Sequence, residues 1–151
     1  MIVVGIDPGL TGAIAILENG RAKLVFDMPI MKDGKTNQVD GLALYNALLP
    51  VPDHAQVILE QVHAMPGQGV SSMFTFGGAY HAARVVVQCL GLRLHKVTPS
   101  KWKRIAGLGK DKEAARTMAI ELFPEVAMDL QRKKDAGRAE ALLIAHYGGV
   151  V

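Results

Sequence analysis

Cysteine is almost absent: Cys89 is the one thiol in 151 residues. That excludes an internal disulfide and suits a reducing, cytoplasmic setting. His54, His81, His95 and His146 lack zinc-like spacing, and no cysteine set accompanies them, so no zinc site is expected. No apolar run approaches the roughly 18 residues of a membrane span, so no membrane partner is expected. The start lacks a basic stretch and a cleavage site, so no secretory signal is expected. Neither a Gly-x-Gly-x-x-Gly after the first strand nor a Walker-type phosphate loop is present, which argues against a nucleotide cofactor.

What is there reads as one globular domain. Half of the residues are hydrophobic and 21% are charged, enough apolar sequence for a sizeable core. Cys89 sits in the apolar run Val85–Leu90 and reads as a small buried hydrophobe. The net charge is only +3, but its distribution is uneven. Lys101, Lys103, Arg104, Lys110, Lys112 and Arg116 form one basic cluster, and Arg132, Lys133, Lys134 and Arg138 form another. Such clusters beside acidic sites point to a polyanionic substrate.

Three strands open the chain, at about 2–7, 12–18 and 21–28, with Asn19-Gly20 as a hairpin turn between the second and third. Met31 to Asp40 reads as a polar loop. Gly41 to Leu49 has helical spacing and stops at Pro50. Val57–Glu60 is a fourth, buried strand, and His63–Gly69 is a Gly/Pro loop. Ser71 or Ser72 caps a long helix to about Leu90, and Leu92–Val97 is a fifth strand. Thr98-Pro99-Ser100 opens a helix containing Trp102, with further helices at Asp111–Leu122 and Arg138–His146. A strand meander followed by alternating helices and strands makes a mixed α/β sheet.

The acids in apolar settings carry the chemistry. Asp7 ends the first strand at Asp7-Pro8-Gly9, and Glu60 ends the fourth. Asp135 and Glu140 flank or enter the last helix. An ionised carboxylate in such a setting is costly unless it is paired or metal-bound. If the first and fourth strands are parallel neighbours, Asp7 and Glu60 leave the sheet at one edge. A helix across that edge can then add a third and a fourth acid, Glu140 and Asp135, so Asp7, Glu60, Asp135 and Glu140 are the expected catalytic and metal-binding residues. Convergent oxygens of this kind suit hard divalent cations, Mg²⁺ or Mn²⁺. A pair of such ions can activate water for phosphodiester hydrolysis.

Four blocks in order carry a resemblance over nearly the whole chain: Ile6–Gly9, Leu59–Val62, Val97–Lys103 and Ala139–Ala145. The chain resembles the RuvC-type Holliday junction resolvases of the ribonuclease H-like superfamily, in particular their compact phage and bacterial branch. The resemblance implies a five-stranded mixed sheet flanked by helices. It also implies a homodimer that binds a four-way DNA junction and nicks it symmetrically with two metal ions per site. Asp7, Glu60 and Glu140 match three of the family's acids.

The remaining acid departs from the family pattern, which places Asp or His one helical turn before the final acid. Position 137 is Gly and position 136 is Ala. Asp135 lies roughly 140° from Glu140 around an ideal helix. It reaches the site only from a non-helical first turn; otherwise it is a helix cap. Ala136 shares Glu140's face and marks the natural place for a lost ligand.

DNA contacts are expected from three segments. His63 and Gln68 lie in the loop after Glu60, where His63 is either a ring that stacks on an unpaired base or an incidental loop residue. Lys101, Lys103 and Arg104 flank a packed Trp102, while Phe74 and Phe76 read as core or dimer-interface residues. Lys110 and Lys112 precede a helix N-terminus, and Arg132, Lys133 and Lys134 adjoin the last acids. Two other functions share these acids: a nuclease for RNA–DNA hybrids or RNA, and a weakened or inactive junction-binding protein.

Overall fold

The computed structural model describes residues 1–149. β1 (Ile2–Asp7), β2 (Ala13–Glu18) and β3 (Arg21–Asp27) form the antiparallel meander. Asn19 and Gly20 turn β2 into β3 with φ of 52° and 80°, the mirror-image turn that matches strand twist. The segment expected as a loop is instead a small hairpin, β4 (Ile30–Asp33) and β5 (Thr36–Val39). Its two-residue turn is Gly34-Lys35, with Gly34 at φ 60°. Its strands are polar and mostly exposed, so no apolar alternation announces them.

The chain continues through α1 (Gly41–Leu48), β6 (Gln56–Glu60), α2 (Val70–Cys89), β7 (Arg93–Val97), α3 (Pro99–Ala106), α4 (Lys112–Leu122) and α5 (Ala136–Tyr147). The main sheet has the order β3-β2-β1-β6-β7, with β6 parallel to both β1 and β7. It is a five-stranded mixed sheet, as expected. Short 3₁₀ segments at Pro124–Leu130 and Lys133–Asp135 bridge α4 and α5.

Side-chain alternation divides the core between the two faces of the sheet. Val4 and Ile6 of β1, Ile14 and Ile16 of β2, and Val57 and Leu59 of β6 join the core cluster under α1 and α2. Val3, Ala13, Ala15, Leu17 and Ile58 join the cluster with α3, α4 and α5. Gly5 belongs to this second face. A Cβ there would strike the carbonyl oxygen of Ala141 and the Ala145 backbone, so α5 lies directly against β1. Residues Ala139 to Ala145 are all buried, since α5 also packs on β2, α3 and α4. Truncating Leu142 or Leu143 to Ala would cost about 2–5 kcal/mol.

One expectation for α2 is overturned, that for Cys89, and one is narrowed, that for Phe74. Its buried stripe is Ala79, Tyr80, Ala83, Val86 and Val87, and Cys89 falls off that stripe and is exposed. Phe74 is not core: it is 85% exposed, and Val70 is 86% exposed. Phe76 is half-buried and approaches Gly9. The first half of α2 therefore stands clear of the sheet.

Candidate active site

The same alternation aims the acids. Asp7 follows Val3 and Gly5 at two-residue steps, and Glu60 follows Ile58, so both carboxylates emerge on the α5 face. β1 and β6 are parallel neighbours with Ile6 opposite Leu59, which puts Asp7 and Glu60 at the same edge. Glu140, one turn into α5, lines the same cleft of about 820 Å³. The structure thus brings Asp7, Glu60 and Glu140 together.

The surroundings of Asp7 and Glu60 favour their protonated forms. Asp7 opens to the cleft, but protein surrounds it. Burial pushes its carboxyl well above the usual range, and the charges of Glu60 and Glu140 push it further. Burial also raises Glu60, against an opposing hydrogen bond from Trp102. Cations partly compensate. Lys103 Nζ lies 3.3 Å from Glu140 Oε1, and Lys112 Nζ lies 3.9 Å from Oε2. Both lysines also pull the Asp7 and Glu60 carboxyls down.

Trp102 has a role that the sequence did not reveal. Its indole is fully buried, and its Nε1–H donates to Glu60 Oε2 at 2.6 Å. A buried indole N–H needs an acceptor, which was the available signal. The bond favours the charged carboxylate and fixes its orientation.

Asp135 is placed elsewhere, a correction to its grouping with the other acids. The residue is 2% exposed and does not line the cleft. It accepts from the Arg132 backbone N–H at 2.8 Å and from the Arg132 guanidinium at 2.8 to 3.2 Å. Arg138 lies 3.9 Å away and also pairs with Asp27. The Arg132 hydrogen bonds hold the Asp135 carboxyl below its usual range. Arg132 is therefore engaged with Asp135 and is not in the cleft.

The remaining sequence candidates divide as well. His63, Gln68, Lys103, Lys112, Lys133 and Lys134 line the cleft. Lys101, Arg104 and Lys110 do not, although Arg104 and Lys110 are exposed. Gln68 Oε1 accepts from the Met65 N–H at 3.2 Å, closing the turn after His63.

The donor chemistry suits a hard divalent cation, since three carboxylates line one cleft. The acids do not close on a common point. Among the described residues, no three His, Cys, Asp or Glu side chains are gathered tightly enough to hold an ion as they stand.

This architecture has solved counterparts. The Thermus thermophilus RuvC structure superposes with a TM-score of 0.58 at 22% identity, covering 99% of this chain and 96% of that one. T. thermophilus RuvC in complex with a Holliday junction substrate superposes with a TM-score of 0.62 at 20% identity, covering 97% and 91%. The chain has the RuvC-type resolvase fold. No family model matches the sequence. The chloroplastic Holliday junction resolvase MOC1 of Chlamydomonas reinhardtii is 31% identical over 108 residues, which is 67% of this chain. The chain spans 12% of that relative's length. Among the described residues of this RuvC-type fold, no helix is long and apolar enough to cross a membrane.

Proposed function

We propose that the chain is a structure-selective DNA endonuclease that binds four-way junctions and hydrolyses phosphodiester bonds with Mg²⁺ or Mn²⁺. The observation that carries this reading is the meeting of Asp7, Glu60 and Glu140 in one lysine-flanked cleft. These three carboxylates would hold the cation, which when bound supplies an activated water and charge neutralisation at the leaving oxygen. Trp102 orients Glu60. Lys103, Lys112, Lys133 and Lys134 attract and position phosphates. His63, exposed at the mouth of the cleft, is placed to meet an unpaired base. The T. thermophilus complex supports the choice of a junction as partner.

A homodimer fits this substrate, because paired nicks at a two-fold exchange point require paired sites. The exposed Val70 and Phe74 on the free half of α2 are the apolar surface for that contact. Synthetic four-way junction, duplex, fork and RNA–DNA hybrid, each incubated with Mg²⁺, test the proposal. Nicking of the junction in preference to the others is expected. Preferential cleavage of the hybrid would move the chain to the other nuclease reading. A junction bound but uncut at every metal concentration would leave a binding protein.

A further inference from the structure

We propose that the cleft of this chain holds one divalent ion where a two-ion centre would need a fourth carboxylate, and that position 136 is where that carboxylate belongs. The inference rests on the metal-dependent reading above and concerns how many ions its site can hold.

Three neighbouring positions could supply the fourth donor, and the structure separates them. Asp135 is already committed: two of its partners are the Arg132 backbone and guanidinium, and it lies outside the cleft. Gly137 lines the cleft but cannot carry a side chain without rearrangement. Its Cβ would lie 2.6 Å from the Thr11 carbonyl oxygen and 3.4 Å from Gly12, both backbone atoms of the β1–β2 turn. Ala136 also lines the cleft, as the first residue of α5. It is four residues before Glu140, so the two side chains share one helix face. A carboxylate at 136 would join the existing three; the methyl group there supplies no oxygen.

The cations in the cleft agree with this count. Each Glu140 oxygen faces a lysine, Lys103 or Lys112. An ion bound to Asp7 and Glu60 must compete with these ammonium groups for Glu140. A second ion would have no carboxylate left free of that competition.

The test counts Mn²⁺ bound per protomer, from the EPR signal of free Mn²⁺. It is done on the full chain alone and with a four-way junction carrying non-hydrolysable linkages at the crossover, with the junction-only value subtracted. The parent is expected to bind about one ion in both states. Ala136→Asp is expected to bind about two with the junction present. The substitution suits a helix N-terminus, where an acid is favoured, and thermal melting confirms folding. Gly137→Asp should not add an ion, because Thr11 blocks its side chain. Two ions on the parent would overturn the proposal, as would an Ala136→Asp count no higher than the parent's. A gain in Gly137→Asp equal to that in Ala136→Asp would overturn the assignment of position 136. Junction preference, measured on the same samples by competition with duplex, separates these outcomes from failure of the functional reading: a protein that binds one ion but ignores junctions would refute only the latter.

Discussion

Two groups of acids lie at the start of α5, and they are opposites. In the cleft, Asp7, Glu60 and Glu140 crowd together, and burial and mutual repulsion push Asp7 and Glu60 toward the neutral form. Beside it, Asp135, Asp27 and Asp129 interlock with Arg132 and Arg138, and Asp135 is held firmly ionised. In the first group only Glu140 has lysine partners within ion-pair distance; in the second every carboxylate has an arginine partner. Two carboxylates five residues apart in sequence, Asp135 and Glu140, thus stand in contrasting surroundings, one among arginines and the other in the cleft.

The strongest break in this comparison should come from Asp7→Asn. Junction cleavage should fall by about 10³-fold or more, while junction binding persists, as followed by single-turnover nicking and gel shift. The metal-free protein should become more stable at neutral pH, by on the order of a few degrees in Tm. A carboxyl raised in the folded state opposes folding above its ordinary range, near pH 4, and this opposition fades as pH falls from the raised value toward that range. Parent melts in EDTA should therefore gain stability on going from pH 7 to pH 5, and Asp7→Asn should flatten that gain.

Trp102→Phe keeps the buried ring and removes the 2.6 Å bond to Glu60. Apparent Mg²⁺ affinity or cleavage should drop about 10–100-fold. The loss should be worse at lower pH, since Glu60 then loses the contact that favours its charged form. Equal loss at all pH values would reduce Trp102 to a packing residue.

Asp135→Ala probes the completed group. Stability should fall by about 1–3 kcal/mol, because two arginines lose a buried partner, while cleavage by the folded protein changes little. Its pH dependence should have the opposite sign. The contribution of Asp135 is present above the ordinary carboxylate range and is lost as pH falls through its lowered folded value. A collapse of cleavage with stability intact would make Asp135 part of the site.

The smallest effect concerns phosphate contacts. Lys133→Ala and Lys134→Ala, both in the cleft, should each lower the log–log salt slope of junction binding by about 0.9. Lys110→Ala, outside it, should leave the slope nearly unchanged. His63→Ala should reduce junction preference without altering the slope.

Much of this was legible in residue order. Asp7 and Glu60 could be placed on one sheet edge because each ends an apolar strand, and β1 and β6 are parallel neighbours. Glu140 was legible from the helix that carries it. The β4–β5 hairpin was missed because its strands are short and polar, although Asp33-Gly34 signalled a turn. Asp135 could not be assigned from spacing, since its partner Arg132 acts through a 3₁₀ turn rather than α-helical geometry. The exposure of Cys89 escaped because an apolar run hides which helix face is buried. The Trp102–Glu60 bond joins residues far apart in the chain, a pairing no local pattern encodes.

The contact of α5 with Gly5 has a consequence for biosynthesis. β1 emerges early from the ribosome, but the surface it offers at Gly5 is completed only when α5 folds onto it. Until residues 136–147 have been translated, Asp7 faces no Glu140, and Trp102 and the lysines around the cleft lack the helix they pack beside. A chain broken off before that point would carry two of the three acids and no assembled centre. The cleft is therefore completed by the last helix of the chain to be translated.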